Sequence, residues 1–268
     1  MSSPKGRCAI TSNYPVLSYT TWVDGVDTYA ASIINLIQDD LISVVADAQL
    51  GWLKSRVAWT YASATTFTCP GDYTLVFHKG TKLYWTQTTA KYAYVQSVSY
   101  SAPNTTVTIN GGSSYTVANA AVVSPYYSYA DRPQGFPDAF AYTPTWVAST
   151  TAPVVGADGT LLGRFRMVGG QVEFDITLTA GTATTFGVGT YGFTLPMTAK
   201  TVAGVRWHGE SYGYDNSGTA YFGAVSIPSA GTAVTIAGNG GTAIWGWVTP
   251  VTWAASDIIS VGGRYEAA

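Results

Sequence analysis

Residues 163–178 constrain the fold more than any other stretch of the chain. Gly163-Arg-Phe-Arg-Met-Val168 runs into Gly169-Gly170, and Gln171-Val-Glu-Phe-Asp-Ile-Thr-Leu178 follows with strict alternation. Successive side chains of a strand point to opposite faces, so this pattern fits a half-buried strand and no helix. Val172, Phe174, Ile176 and Leu178 fall on one face; Glu173, Asp175 and Thr177 fall on the other. The paired glycines between two such runs predict a tight hairpin. Similar runs recur on both sides, at 57–61, 82–86, 92–98 and 105–109, then at 191–195, 201–208, 220–227, 233–237, 243–248 and 258–265. Gly and Pro punctuate them. Roughly eight short strands in the last part of the chain suit a sandwich or jelly roll.

A single segment reads as helix, residues 28–50. Asp27 and Thr28 can cap its start, and Gly51 can close its end. Ala30, Ile34, Ile37, Leu41, Val44 and Ala48 follow one another at spacings of four, three, four, three and four. That is a heptad seam, with Asp40 and Asp47 flanking it. Ile at core positions of a heptad favours three or four strands over two. The seam is under three heptads long, so packing of an amphipathic helix on its own β domain is the competing reading. Residues 131–153, with Pro133, Gly135, Pro137, Pro144 and Pro153, mark a boundary near 141. The expected organisation is therefore 1–52 as an N-terminal attachment arm and helix, 53–140 as a first β domain, and 141–268 as a C-terminal tip domain. The fold class is mainly β: an arm, a short oligomerising helix, a β domain and a jelly-roll-like β-sandwich.

Composition narrows the function. Apolar residues make up 47% of the chain, enough for a sizeable core, but only 10% are charged, against a usual ~25%. A chain so poor in charge must wet its surface with Thr, Ser, Asn, Gln, Gly and Tyr, which suits extracellular β proteins and virion parts, often packed against copies of themselves. The net charge is −2 and no basic run occurs, which argues against nucleic acid as a partner. The two cysteines, Cys8 and Cys69, are too few for a disulfide scaffold, and their spacing leaves open whether they pair. His78 and His208 have no Cys or His at ligand spacing, so no metal and no cofactor is expected. The apolar stretch 33–45 is interrupted by Asn35, Gln38, Asp39 and Asp40, too polar and too short to span a bilayer. The first residues lack the apolar core of a signal peptide, so a soluble chain without an export address is expected.

Three segments resemble bacteriophage fibre and spike proteins. Thr21-Trp-Val-Asp-Gly-Val-Asp27 is similar to the short motif that opens many phage fibre chains before their first helix; where those continue with Leu-Asn, this chain has Ile34-Asn35-Leu36. Trp59-Thr-Tyr-Ala-Ser63, Phe67-Thr-Cys-Pro-Gly-Asp72, Lys79-Gly-Thr-Lys-Leu83, Trp85-Thr-Gln-Thr-Thr89, Pro103-Asn-Thr-Thr-Val-Thr-Ile109, Tyr126-Tyr-Ser-Tyr129 and Pro133-Gln-Gly-Phe-Pro137 resemble, in order, a domain common in phage structural proteins. Gly163-Arg-Phe-Arg166, Gly170-Gln-Val-Glu-Phe174 and Gly192-Phe-Thr-Leu-Pro196 resemble β-sandwich tips at the ends of phage fibres. The resemblance implies a virion component assembled in the host cytoplasm, a homotrimer held to other virion proteins by its N-terminal arm. It implies no catalytic residues. Tail, head and collar locations stay open.

Two constellations could carry chemistry. Glu173 and Asp175 share a strand face at about 7 Å, inside the range of glycosidase carboxylate pairs; alternating acids facing solvent are the ordinary alternative. No nucleophile elbow and no zinc-protease helix motif occurs, so no enzyme is expected. The aromatic content is sharper, with nine Trp and nineteen Tyr. Trp207, Tyr212, Tyr214, Tyr221, Trp245 and Trp247 cluster in sequence, and residues 212–218 read as an exposed loop. Trp245 and Trp247, flanking Gly246, are expected on one face. An apolar ring face with a polar handle suits a host surface glycan; filling of the core and of subunit interfaces is the alternative for each ring. A head-decoration or collar protein without a receptor and a carbohydrate-binding module or enzyme remain as rivals.

Overall fold

The computed structural model describes residues 28–238 and 243–268, and for residues 28–34 the backbone alone. The expected arm, with Cys8 and the 21–27 motif, lies outside the described residues. Among the described residues, one helix, α1 (Thr28–Gln49), precedes sixteen strands in two antiparallel sheets. The chain is mainly β, as its alternating runs predict.

The first sheet contains β1 (Leu53–Lys54), β2 (Thr60–Ser63), β3 (Thr66–Pro70), β4 (Lys82–Thr86), β5 (Ala90–Ser101), β6 (Asn104–Asn110) and β7 (Val123–Ser128), in the order β1-β7-β4-β5-β6-β3-β2. Alternation sorts its residues. Phe67, Leu83, Trp85, Ala93, Val95, Val107 and Ile109 are buried on one face. Trp59, Phe77 and Val117 from the connecting segments roof that face. Trp59 stacks on Phe67 with ring centroids 4.2 Å apart. Cys69 is an unpaired thiol in this core, and burial pushes it up to about 11.

The second sheet contains β8 (Phe140–Tyr142), β9 (Trp146–Ala148), β10 (Thr160–Val168), β11 (Gln171–Thr179), β12 (Tyr191–Thr194), β13 (Arg206–Asp215), β14 (Thr219–Pro228), β15 (Ala233–Gly238) and β16 (Ile258–Glu266). Their order is β8-β10-β11-β16-β13-β14-β15-β12-β9. β8 and β9 end up at opposite ends of this order, although only residues 143–145 separate them in the chain. So short a link, at ~3.3–3.6 Å per residue, forces the two ends of the sheet together. The sheet therefore rolls onto itself and encloses one core, the sandwich-like second layer that the strand count predicts. Phe165, Met167, Val172, Phe174, Ile176, Leu178, Phe193, Val225, Ile236, Val261 and Tyr265 point inward. The β10–β11 hairpin pairs in full register from Thr160↔Thr179 to Val168↔Gln171, and Gly169 takes a φ of +59° at its turn.

The two layers meet through rings. Trp52, just past α1, lies 5.5 Å from Tyr84 and 6.1 Å from Phe136. Phe136 lies 5.1 Å from Tyr94 of β5, Tyr94 lies 5.2 Å from Phe140 of β8, and Phe140 stacks on Phe165 of β10 at 5.8 Å. Tyr94, a first-sheet residue, is thus part of the second core. β8 begins one residue before the boundary read from the sequence. Backbone closes the rest of the junction. A Cβ on Gly80 would sit 2.0 Å from the Gly169 carbonyl oxygen, and one on Gly112 would sit 2.1 Å from that of Ala141. Both glycines have positive φ, so no other residue fits without moving one layer off the other. Lys79 Nζ donates to Ala267 O at 2.9 Å, and Asn110 Nδ2 donates to Pro196 O at 3.0 Å.

Candidate functional site

The junction fixes which end of the rolled sheet is free. The 169–170 turn, residues 195–205 and the C-terminus meet the first sheet or lie beside it. Strand direction places the connections 149–159, 180–190, 216–218 and 243–257 at the far end. Two carboxylates tie these distal loops. Asp257, buried, accepts from the N–H of Asn216 at 2.9 Å and of Ala254 at 2.7 Å, while its own carbonyl accepts from Ala180 N. Asp158 accepts from the Thr182 hydroxyl and from the N–H groups of Ala183 and Thr182.

The Asp158 bonds hold its carboxyl down at about 2, the Thr182 hydroxyl contributing most. Its folded value lies below the ~3.9 of an unfolded Asp, so its contribution is complete above pH ~4 and is lost as pH falls through about 2. The Thr182 and Ala183 amide resonances should therefore titrate with a midpoint near pH 2 and stay flat in Asp158→Asn; a midpoint near 4 would contradict the arrangement.

The six aromatic residues picked out by sequence do not form one cluster. In β13 and β14, Trp207 and Tyr221 point inward and pack against the core. Trp245 is buried, 5.8 Å from Trp253. Tyr212 and Tyr214 lie on β13 itself, not on a loop; the loop is only 216–218. Trp247 is exposed at the distal end beside Ile244 and Val248. Trp245 and Trp247 therefore do not share a face. Residues 243–248 form isolated bridges rather than a strand, Gly246 pairing with both Thr190 and Thr249, so period two does not apply there. Phe222, which sequence reasoning missed, is 65% exposed and lies 5.6 Å from Tyr212 across the β13–β14 pair. Alternation from buried Val225 and Ile227 could have found it.

Next to this aromatic pair the outer sheet face is grooved. Cross-strand register aligns Arg164, Asp175, Gly262 and Glu210 in one row over β10, β11, β16 and β13. The adjacent row carries Arg166, Glu173 and Arg264, with His208 beyond them on β13. Gly262 leaves a notch between the Asp175 and Glu210 side chains. Three hollows of about 340, 320 and 330 Å³ share lining residues in sequence: Glu173 and Asp175 link the first to the second, and Asp138 and Arg166 link the second to the third. The groove thus continues into the cleft between the layers, at Lys82, Asp131 and Arg132. Five of the thirteen Lys and Arg and five of the fifteen Asp and Glu line it.

Arg164 pairs with Asp175 at 3.0 Å and Arg166 with Glu173. Among the described residues, Glu210 has no ion-pair or hydrogen-bond partner. Glu173 and Asp175 are thus each held by an arginine on the outer face of the sheet. No group of three or more His, Cys, Asp or Glu among the described residues could hold a metal ion, and no described helix is long and apolar enough to cross a membrane.

α1 makes a second candidate surface. Ile37 is 61% exposed, Leu41 46% and Val44 49%, and Ala48 is exposed too. The part-buried helix positions are Asn35, Gln38, Ile42, Val45 and Asp47, so the side turned toward the chain is not the seam. The side chains of Ala30 and Ile34 lie outside the described residues. Comparison with protein-family models, with curated proteins and with solved structures finds no match.

Proposed function

We propose that this chain is the subunit of a homotrimeric bacteriophage fibre or spike, joined to its particle by the N-terminal region and presenting the rolled sheet to the host surface. The observation that carries this reading is the exposed heptad seam. Apolar residues at alternating four and three spacings fit identical helices wound together, and here Ile37, Leu41, Val44 and Ala48 are left exposed by the subunit's own sheets. An unpartnered apolar stripe of this length is unfavourable in water unless copies cover it. The segment resemblances to phage proteins supply the setting. The polarity of the subunit agrees with that setting, because the connections 149–159, 180–190 and 243–257 and exposed Trp247 lie at the end away from the junction. This favours a contact role over passive decoration. No residue in this reading acts as a catalyst, and no cofactor takes part.

The test is the solution mass of the full chain by light scattering on a sizing column. Three times the 28.3 kDa of one chain is expected. A mass of one chain across the micromolar range overturns the trimer and, with it, the fibre architecture.

A further inference from the structure

We infer that the groove running over Gly262 is a binding site for a neutral, extended oligosaccharide, with one ring stacked on Tyr212 and Phe222 and its hydroxyls bonded to Glu210. This rests on the host-contacting reading and gives that contact a place and a ligand class.

Four features carry it. First, the groove is long rather than deep: four strands wide at ~4.8 Å per strand, then onward into the cleft between the layers. Its hollows are each near the low end of ligand-site volumes, ~300–1,000 Å³, so a chain of linked rings fits it better than one compact molecule. Second, its charges balance, five of each sign. A strongly anionic or cationic ligand gains nothing from such a field, whereas hydroxyl groups both donate to carboxylates and accept from guanidinium groups. Third, the ion pairs that line it are exposed, and exposed pairs contribute little to stability. They can exchange partners with a ligand, and Glu210 is already free to accept. Fourth, Tyr212 and Phe222 present ring surface to solvent in the row next to Glu210, the apolar platform that the CH face of a sugar ring covers.

The same features argue against another copy of the chain as the occupant. Covering the groove with protein would strip water from ten charged side chains, a large penalty unless each found a partner. An oligosaccharide leaves the groove wet and can bond through water.

The experiment titrates the full chain with neutral chito-oligosaccharide and malto-oligosaccharide, and with anionic oligogalacturonate, by calorimetry. It compares the wild type with Glu210→Gln, Phe222→Ala and Gly262→Gln. All three positions lie on the outer face, and Gly262 has negative or extended φ, so the variants should keep the wild-type circular dichroism and mass. Binding of a neutral oligomer is expected. Glu210→Gln should weaken it about tenfold, by loss of a hydrogen bond to a charged acceptor, and Phe222→Ala about fivefold, by loss of ring contact. Gly262→Gln should abolish it by filling the notch. Binding unchanged in all three variants overturns the site, as does binding of the anionic oligomer alone or of no oligomer. Light scattering on the same samples separates the two readings. A trimer without sugar binding refutes the groove only, and a sugar-binding monomer refutes the fibre architecture only.

Discussion

Replacing both Ile37 and Leu41 with Asp should reduce the solution mass from three chains to one. Both side chains are exposed in the single subunit, so the substitutions remove nothing from its own core, and the two sheets should unfold at the wild-type temperature. In the proposed trimer the same positions would face the equivalent residues of two other helices. Burying a Leu or Ile side chain contributes ~1.5–3 kcal/mol, and each trimer holds two such positions on every helix. Placing carboxylates there also brings like charges together in a site poor in water, which adds a penalty of its own. Since ~1.4 kcal/mol is a factor of ten in affinity, the trimer should be lost at any practical concentration. Ser43→Asp, on the opposite side of the helix at 3.6 residues per turn, is the control and should leave the mass unchanged. A double Asp variant that still sizes as a trimer would move the assembly interface to the sheets.

The second large effect is expected inside the rolled sheet. Trp245→Ala should destabilise it by ~3–5 kcal/mol, the range for removing a buried aromatic side chain. Trp245 is 1% exposed. Its ring fills space left by two glycines: a Cβ on Gly213 would come within 2.9 Å of it, and one on Gly223 within 3.3 Å. Glycines have no side chain to swing into the vacancy, so the cavity would persist. The Trp245 backbone is also shared, accepting from Tyr191 N at 2.8 Å and donating to Ile236 O at 2.9 Å. The melting midpoint should fall by about 10 °C. Trp247→Ala, at a half-exposed ring two residues on, should stay within about 0.5 kcal/mol of wild type. Equal losses at the two positions would refute the inward and outward assignment. The contrast also guards the host-contact reading, because a binding defect in Trp245→Ala would report a damaged fold rather than a lost contact.

Those two tryptophans show where sequence was legible and where it was not. The 163–178 hairpin could be read in advance because hydrophobic period, paired glycines and strand length agree there. Val172, Phe174, Ile176 and Leu178 are all inside, as their spacing predicts. The β-rich architecture followed from repeats of the same agreement, including inward Thr105, Val107 and Ile109 of β6. Around Gly213 the cues conflict. A glycine between two tyrosines suggests a turn, yet here it is a strand residue that makes room for Trp245 and Trp253, the close-approach use of glycine in a sheet. Trp245 and Trp247 look alternate, but their segment is bridged rather than laddered. The groove was hidden for a different reason. Its walls come from Arg164, Asp175, Glu210 and Gly262, on four strands scattered over about a hundred residues, and only the register of β10, β11, β16 and β13 aligns them. The surplus of Tyr and Phe was legible as a count but not as a place. Much of it fills the junction between the sheets, which no local pattern reveals.

That junction has a mechanical meaning. From Trp52 at the foot of the helix to Phe165 in the rolled sheet, ring follows ring at 5 to 6 Å, and at Gly80 and Gly112 backbone presses on backbone. Close-packed interiors compress little and transmit strain. A pull on the helix meets no soft joint before it reaches the far loops, so the subunit should bear load as a single stiff lever.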